Sequence, residues 1–129
     1  MDQATRLRVR QRAGNRCEYC RISQNDEPIY SYQIEHITAK KHGGSEDDAN
    51  LALACPFCNQ HKGTDLTGLD PLDNAITPLF HPRLHVWEEH FRLIGPEIVG
   101  LTAIGRTTVQ TLRMNDLLRV ELRRDIGAG

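Results

Sequence analysis

Aromatic side chains are scarce in this sequence: one Trp, three Tyr and three Phe among 129 residues. A chain of this length is read as a single domain over 1–129, and its hydrophobic core must be modest. No apolar run approaches the roughly 20 residues that span a bilayer. Residues 1–12 are Arg-rich and lack the apolar stretch of a secretory signal. The expected location is therefore cytoplasmic, in a bacterium or phage. There is no internal repeat and no low-complexity linker. Nor is there an excess of positive charge: the formal net charge is −1, which argues against tight non-specific binding to nucleic acid. The charge is uneven, however. Arg6, Arg8, Arg10, Arg12, Arg16 and Arg21 crowd the first segment, and Lys40, Lys41, His42 and Lys62 flank the centre. Such local patches suffice to contact phosphates, although a simply solvated helix face accounts equally well for the first of them.

Cysteine is sparse but patterned. The four residues form two C-x-x-C pairs, Cys17/Cys20 and Cys55/Cys58. In a reducing compartment this spacing favours one tetrahedral Zn²⁺; disulfides or a redox pair are the alternatives. A structural zinc would matter for folding, because a short domain with a small core draws much of its stability from such a metal.

Residues 4–13 predict a helix stopped by Gly14-Asn15. Residues 23–28 are polar loop. Residues 29–37 alternate, with Tyr30, Tyr32 and Ile34 on one face and Ser31, Gln33 and Glu35 on the other, and predict a strand. A loop over 39–50 contains Gly43-Gly44. Leu51–Ala54 predicts a short apolar strand, and Pro56 opens a helix ended by Gly63. Beyond it, 64–82 should be mostly irregular. Residues 86–93 suit either a helical turn or a strand, and 97–101 suits a strand pairing back across Gly95-Pro96. Thr107 is a candidate N-cap for a helix to Met114, and Asn115 or Asp116 for another to Arg124. Trp87 and Phe91 are expected core anchors. His81, His85 and His90 are read as packing and surface histidines, since Pro82 interrupts their loose spacing.

The central segment carries the chemistry. Phosphodiester hydrolysis needs a base for the attacking water, and neutral His36 suits that role near pH 7. It also needs charge stabilised on the phosphoryl oxygens. Mg²⁺ does this with few protein ligands, preferring carboxylate and amide oxygens. Glu35 precedes the histidine; strand alternation points the two side chains apart, unless a bend at the strand end brings the carboxylate round. Asn59 follows Cys58 directly, so a zinc on Cys58 would fix it at a helix start.

The ordered set Glu35-His36-Ile37, Gly43-Gly44, Asn50-Leu51 and Cys55-x-x-Cys58-Asn59-x-x-Lys62-Gly63 resembles the HNH endonuclease signature in its four-cysteine zinc form. The resemblance covers about residues 14–63, leaving 64–129 as a C-terminal extension of unknown role. It implies an α+β fold: a small ββα-metal (His-Me finger) unit stapled by zinc, with an N-terminal helix and a strand-plus-helix extension. By resemblance His36 is the general base, Glu35 and Asn59 hold a catalytic Mg²⁺ or Mn²⁺, and Asn50 braces the loop. Cys17, Cys20, Cys55 and Cys58 hold structural zinc. The family cleaves DNA, commonly leaving 5′-phosphate and 3′-hydroxyl ends. Two features depart from the usual pattern. Ala39 stands where proline is common. Asn59 stands where histidine often follows the last cysteine, and His61 is a second candidate for that metal position. Lys62 is expected to contact phosphate or cap the helix, and Arg106 or Arg113 to extend a DNA surface. Two other readings remain: a catalytically inactive zinc module binding nucleic acid or protein, and an RNA-directed nuclease. A protein partner for targeting fits a chain this short.

Overall fold

The computed structural model describes residues 1–127. Its contacts cluster into two compact units, residues 1–60 and 61–129. The described residues contain no helix long and apolar enough to cross a membrane.

In the first unit, α1 (Gln3–Arg12) starts where Asp2 accepts a hydrogen bond from the Thr5 amide (2.8 Å). It stops before Gly14 and Asn15, both in the left-handed region at φ 64° and 59°. β1 (Gln33–His36) and β2 (Leu51–Ala54) pair antiparallel, from Gln33 opposite Ala54 to His36 opposite Leu51. All four β2 residues are fully buried, and α1 packs on this strand. α2 (Pro56–Lys62) follows β2 after one residue and ends at Gly63, φ 52°. This is the expected strand, loop, strand, helix order.

β1 is shorter than alternation predicts, because residues 30–32 spend their backbone groups elsewhere. The Gln24 side chain accepts from the Tyr32 amide (2.6 Å) and donates to the Tyr30 carbonyl (2.9 Å). Arg10 donates to the Tyr32 carbonyl (2.7 Å). β2 has only four residues, so no ladder partner remains for this stretch.

The arginines of α1 are not merely a solvated face. Arg8 pairs with Asp48 (3.0 Å), and Arg12 donates to the carbonyls of Asp48 (2.9 Å) and Leu51 (2.5 Å). They clamp the helix to the end of the β1–β2 loop.

Among its described residues the second unit holds two hairpins, three helices and its own core. β3 (Thr67–Leu69) pairs with β4 (Ile76–Pro78), inside the stretch expected to be irregular. The turn between them is built by Asp70: its carbonyl accepts from Asn74 (2.8 Å) and its carboxylate from the Leu72 amide (3.0 Å). Such local Asx chemistry lets strands of three residues form where periodicity is too short to read. The segment that suited either state is both: a single turn, α3 (Trp87–His90), runs straight into β5 (Phe91–Ile94). β5 pairs with β6 (Glu97–Gly100) across Gly95, as expected. Trp87 and Phe91 are buried with ring centroids 5.0 Å apart, and Phe80 packs edge-on against Phe91.

α4 (Ala103–Thr111) begins earlier than predicted. Its N-cap is Thr102, which accepts from the Gly105 amide (3.0 Å), while Thr107 is buried mid-helix. Gly105 obscured this start, since glycine weakens a helix. It is there for space: a Cβ on Gly105 would lie 2.0 Å from the His90 carbonyl oxygen. α5 (Leu117–Gly127) follows Asp116, whose side chain accepts from the Leu118 amide (3.3 Å). Asn115 serves as an extra partner for β6, accepting from the Ile98 amide (2.9 Å) and donating to its carbonyl (2.8 Å). The three histidines are structural in their visible bonds: His85 Nδ1 accepts from the His81 amide (2.9 Å), and His90 Nδ1 meets the Thr102 hydroxyl (2.6 Å).

Arg106 forms a fork with the buried Asp70 carboxylate (2.9 and 3.1 Å). This pairing commits Arg106 to the β3–β4 turn, while its side chain stays 32% exposed. Two outcomes follow. Gly105→Ala should destabilise by roughly 1–3 kcal/mol through overpacking against backbone, measured by denaturant unfolding. The Arg106 bond first of all holds the Asp70 carboxyl below its ordinary range. A depressed carboxyl contributes stability above its unfolded pKa and loses it as pH falls through the folded one. Asp70→Asn should therefore be less stable at neutral pH, with the gap to the parent closing below about pH 4 in unfolding midpoints measured across pH.

Candidate active site

The four cysteines form one cluster. Their sulfurs all lie within 4.8 Å of one another and every one is buried. Cys20 Sγ stands 3.8 Å from Cys55 Sγ, far beyond a disulfide's ~2.05 Å. A tetrahedral ion with Zn–S bonds of about 2.3 Å needs sulfur–sulfur edges of about 3.8 Å. The residues therefore fit zinc. Each pair turns as a knuckle, with the amide of the second cysteine on the sulfur of the first: Cys20 to Cys17 at 3.5 Å and Cys58 to Cys55 at 3.3 Å. Burial first of all pushes the Cys17 thiol well up, and the hydrogen bond to Cys17 does the same for Cys58. Buried together these groups become thiolates only around a cation.

The first knuckle is sewn to both strands by the residues between its cysteines. Glu18 donates its amide to the Leu53 carbonyl (2.8 Å) and accepts from the Leu53 amide through its carboxylate (2.8 Å). Tyr19, fully buried, donates its hydroxyl to Glu35. Burial, then the charge of Glu35, holds this phenol well above its ordinary range, so it stays a donor.

Glu35 is buried on the face of β1 turned to Tyr19, and His36 points the other way. β1 stays paired through His36, its last residue. Asn59 does meet the Glu35 side of the strand: its Nδ2 donates to Gln33 Oε1 (2.5 Å), and Gln33 and Glu35 share a face. A carboxylate and an amide are the donor types that suit Mg²⁺ or Mn²⁺. His61 is half-buried beyond the boundary of the first unit. Lys62 is only 2% exposed. Its expected role as a phosphate contact is corrected by that burial.

His36 is 23% exposed, and its Nε2 lies 2.8 Å from Glu46 Oε1. Lys40 reaches the same oxygen at 3.0 Å. Lys40 first, then His36, holds the Glu46 carboxyl below its usual range. Sequence reasoning missed Glu46: it stood in an acidic run, and nothing local marks which of three acids turns toward a histidine ten residues away.

Asn50 shapes the loop between His36 and β2. Its Oδ1 accepts from the Thr38 amide (2.8 Å), and its Nδ2 donates to the carbonyls of Thr38 (2.9 Å) and Ser45 (2.8 Å). Gly44 lets the loop fold back, since a Cβ there would sit 1.7 Å from the Thr38 carbonyl oxygen. Ala39 has φ −63° and ψ 153°. That is proline's own φ, so alanine keeps the geometry that the common proline would impose.

The family model described as HNH endonuclease matches residues 17–65. The chain is also 26% identical over 117 residues to the Septu protein PtuB of Bacillus thuringiensis; the match takes in 89% of this chain and 42% of that protein's length. No solved structure matches the chain. The cluster predicts one zinc per chain by elemental analysis. Cys58→Ser should lose the metal and lower the melting temperature by roughly 10 °C or more, read by circular dichroism. Through residues 17–65 the chain is thus similar to the HNH endonuclease family.

Proposed function

We propose that this protein hydrolyses DNA phosphodiester bonds, with His36 as general base. The observation that carries the proposal is the His36–Glu46 pair at the mouth of a loop braced by Asn50. With Glu46 accepting from Nε2–H, the imidazole presents its Nδ1 lone pair to take the proton of an attacking water. Lys40 shares the Glu46 oxygen and keeps that carboxylate ionised. Glu46 is thus a positioning residue for the base.

Glu35 and Asn59 would hold a catalytic Mg²⁺ or Mn²⁺, which supplies charge stabilisation at the phosphoryl oxygens when bound. Tyr19 anchors Glu35 from the zinc side, and Gln33 orients Asn59. Four reduced thiols suit a reducing compartment such as the cytoplasm.

The test is nicking of supercoiled plasmid by zinc-loaded protein with Mg²⁺, Mn²⁺ or no divalent ion. His36→Ala should abolish metal-dependent nicking with zinc content and fold intact. Glu46→Gln should slow it roughly tenfold or more without changing DNA affinity. A folded, zinc-loaded protein that binds but never cuts would sink the proposal in favour of an inactive binding module. Cutting confined to RNA would move the substrate class.

A further inference from the structure

The two flanks of α1 are used differently. Val9 and Ala13 are buried along one stripe of the helix. On one side of it, Arg8 and Arg12, spaced i, i+4, are spent on Asp48 and Leu51. On the other side, Arg6 and Arg10 have the same spacing and, among the described residues, no acidic partner. Arg6 makes only a 3.5 Å contact with the Met1 carbonyl, and Arg10 gives one donor to the Tyr32 carbonyl.

These two guanidinium groups overhang a cleft of about 490 Å³, lined also by Ser31, Gln33 and Asn59. No carboxylate lines it. A cleft with two cations, a hydroxyl, two amides and no acid is complementary to an anion with several acceptor oxygens. In a chain of net charge −1, such a place is a local exception rather than part of a basic surface. Asn59, which reaches Gln33 across this cleft, ties it to the candidate metal site.

We infer that this cleft seats a backbone phosphate of the DNA substrate, with Arg6 as its principal ligand and Arg10, Ser31 and Gln33 completing the cradle. The inference rests on the proposed nuclease reading and deepens it. A phosphate held here fixes the strand beside Asn59, so the cleft positions DNA for a cut that His36 performs. Arg10 is partly committed to the Tyr32 carbonyl and would carry fold as well as binding. Arg6 carries binding without bracing the unit.

The experiment measures binding of a fluorescent DNA duplex by anisotropy over a salt series, without added divalent ion, on zinc-loaded protein. The variants are Arg6→Ala, Arg6→Glu and Arg6→Lys, each checked for zinc content and melting temperature. Arg6→Ala should flatten the log Kd against log salt slope by about 0.9, the loss of one phosphate contact. Arg6→Glu should weaken binding further, and Arg6→Lys should keep most of the slope. The same order should appear in plasmid nicking. Parent-like affinity and slope in Arg6→Ala and Arg6→Glu would overturn the site, whatever His36→Ala does to cleavage. Arg6-dependent binding with no cleavage by the parent would sink the nuclease reading and uphold the phosphate seat. A parent that binds only RNA would overturn the site as a DNA seat.

Discussion

Four sulfur atoms gathered within one metal's reach are the constraint on which the first unit depends. β1 and β2 have four residues each, and a two-stranded ribbon of that size is marginal in water by itself. The cysteines change this, because one knuckle precedes β1 by many residues and the other follows β2 at once. Closing them on a single ion would fix both ends of the hairpin and the start of α2 together. Glu18 and Tyr19 then extend the clamp sideways, one to β2 and one to β1. Four residues, Cys17 to Cys20, thus set the position of strands distant in sequence.

The basic segment shows how a charge run divides its work. Judged by composition, the arginines of α1 are either a solvated face or a phosphate-binding one. The structure assigns one flank to intramolecular carbonyl and carboxylate partners, which a guanidinium with five donors satisfies better than lysine. That flank holds Asp48 just before Asn50, so it stabilises the loop that follows His36. The other flank is left facing the cleft. Periodicity alone contained this split, since residues 6 and 10 and residues 8 and 12 lie to either side of Val9.

The central motif was legible because its chemistry is tied to spacing. Cys55, Cys58 and Asn59 sit on a strand-to-helix junction marked by Pro56 and Gly63, and β2 and α2 fall at the predicted residues. What was not legible depends on partners far away in sequence. The stretch 29–32 alternates like a strand, yet Gln24 and Arg10 claim its backbone groups. The β3–β4 hairpin rests on Asp70, a single residue of a Pro/Asp-rich turn. The start of α4 was hidden by Gly105, whose presence answers to the His90 carbonyl rather than to helix propensity. Glu46 was hidden for the same reason: its meaning lies in a 2.8 Å approach to His36 that the loop's folding creates.

The burial of Glu35 separates two jobs that adjacent residues might have shared. Had both side chains faced outward, a carboxylate beside His36 would have competed with Glu46 for the imidazole. Alternation sends Glu35 inward instead, where the Tyr19 hydroxyl fixes it. The strand then carries a buried carboxylate fixed by Tyr19 and, next to it, an imidazole paired with Glu46. Rotating either residue would need the whole register to slip by one, which would also pull Ile37 out of the core. The first cysteine knuckle, by gripping both strands through Glu18 and Tyr19, opposes that slip.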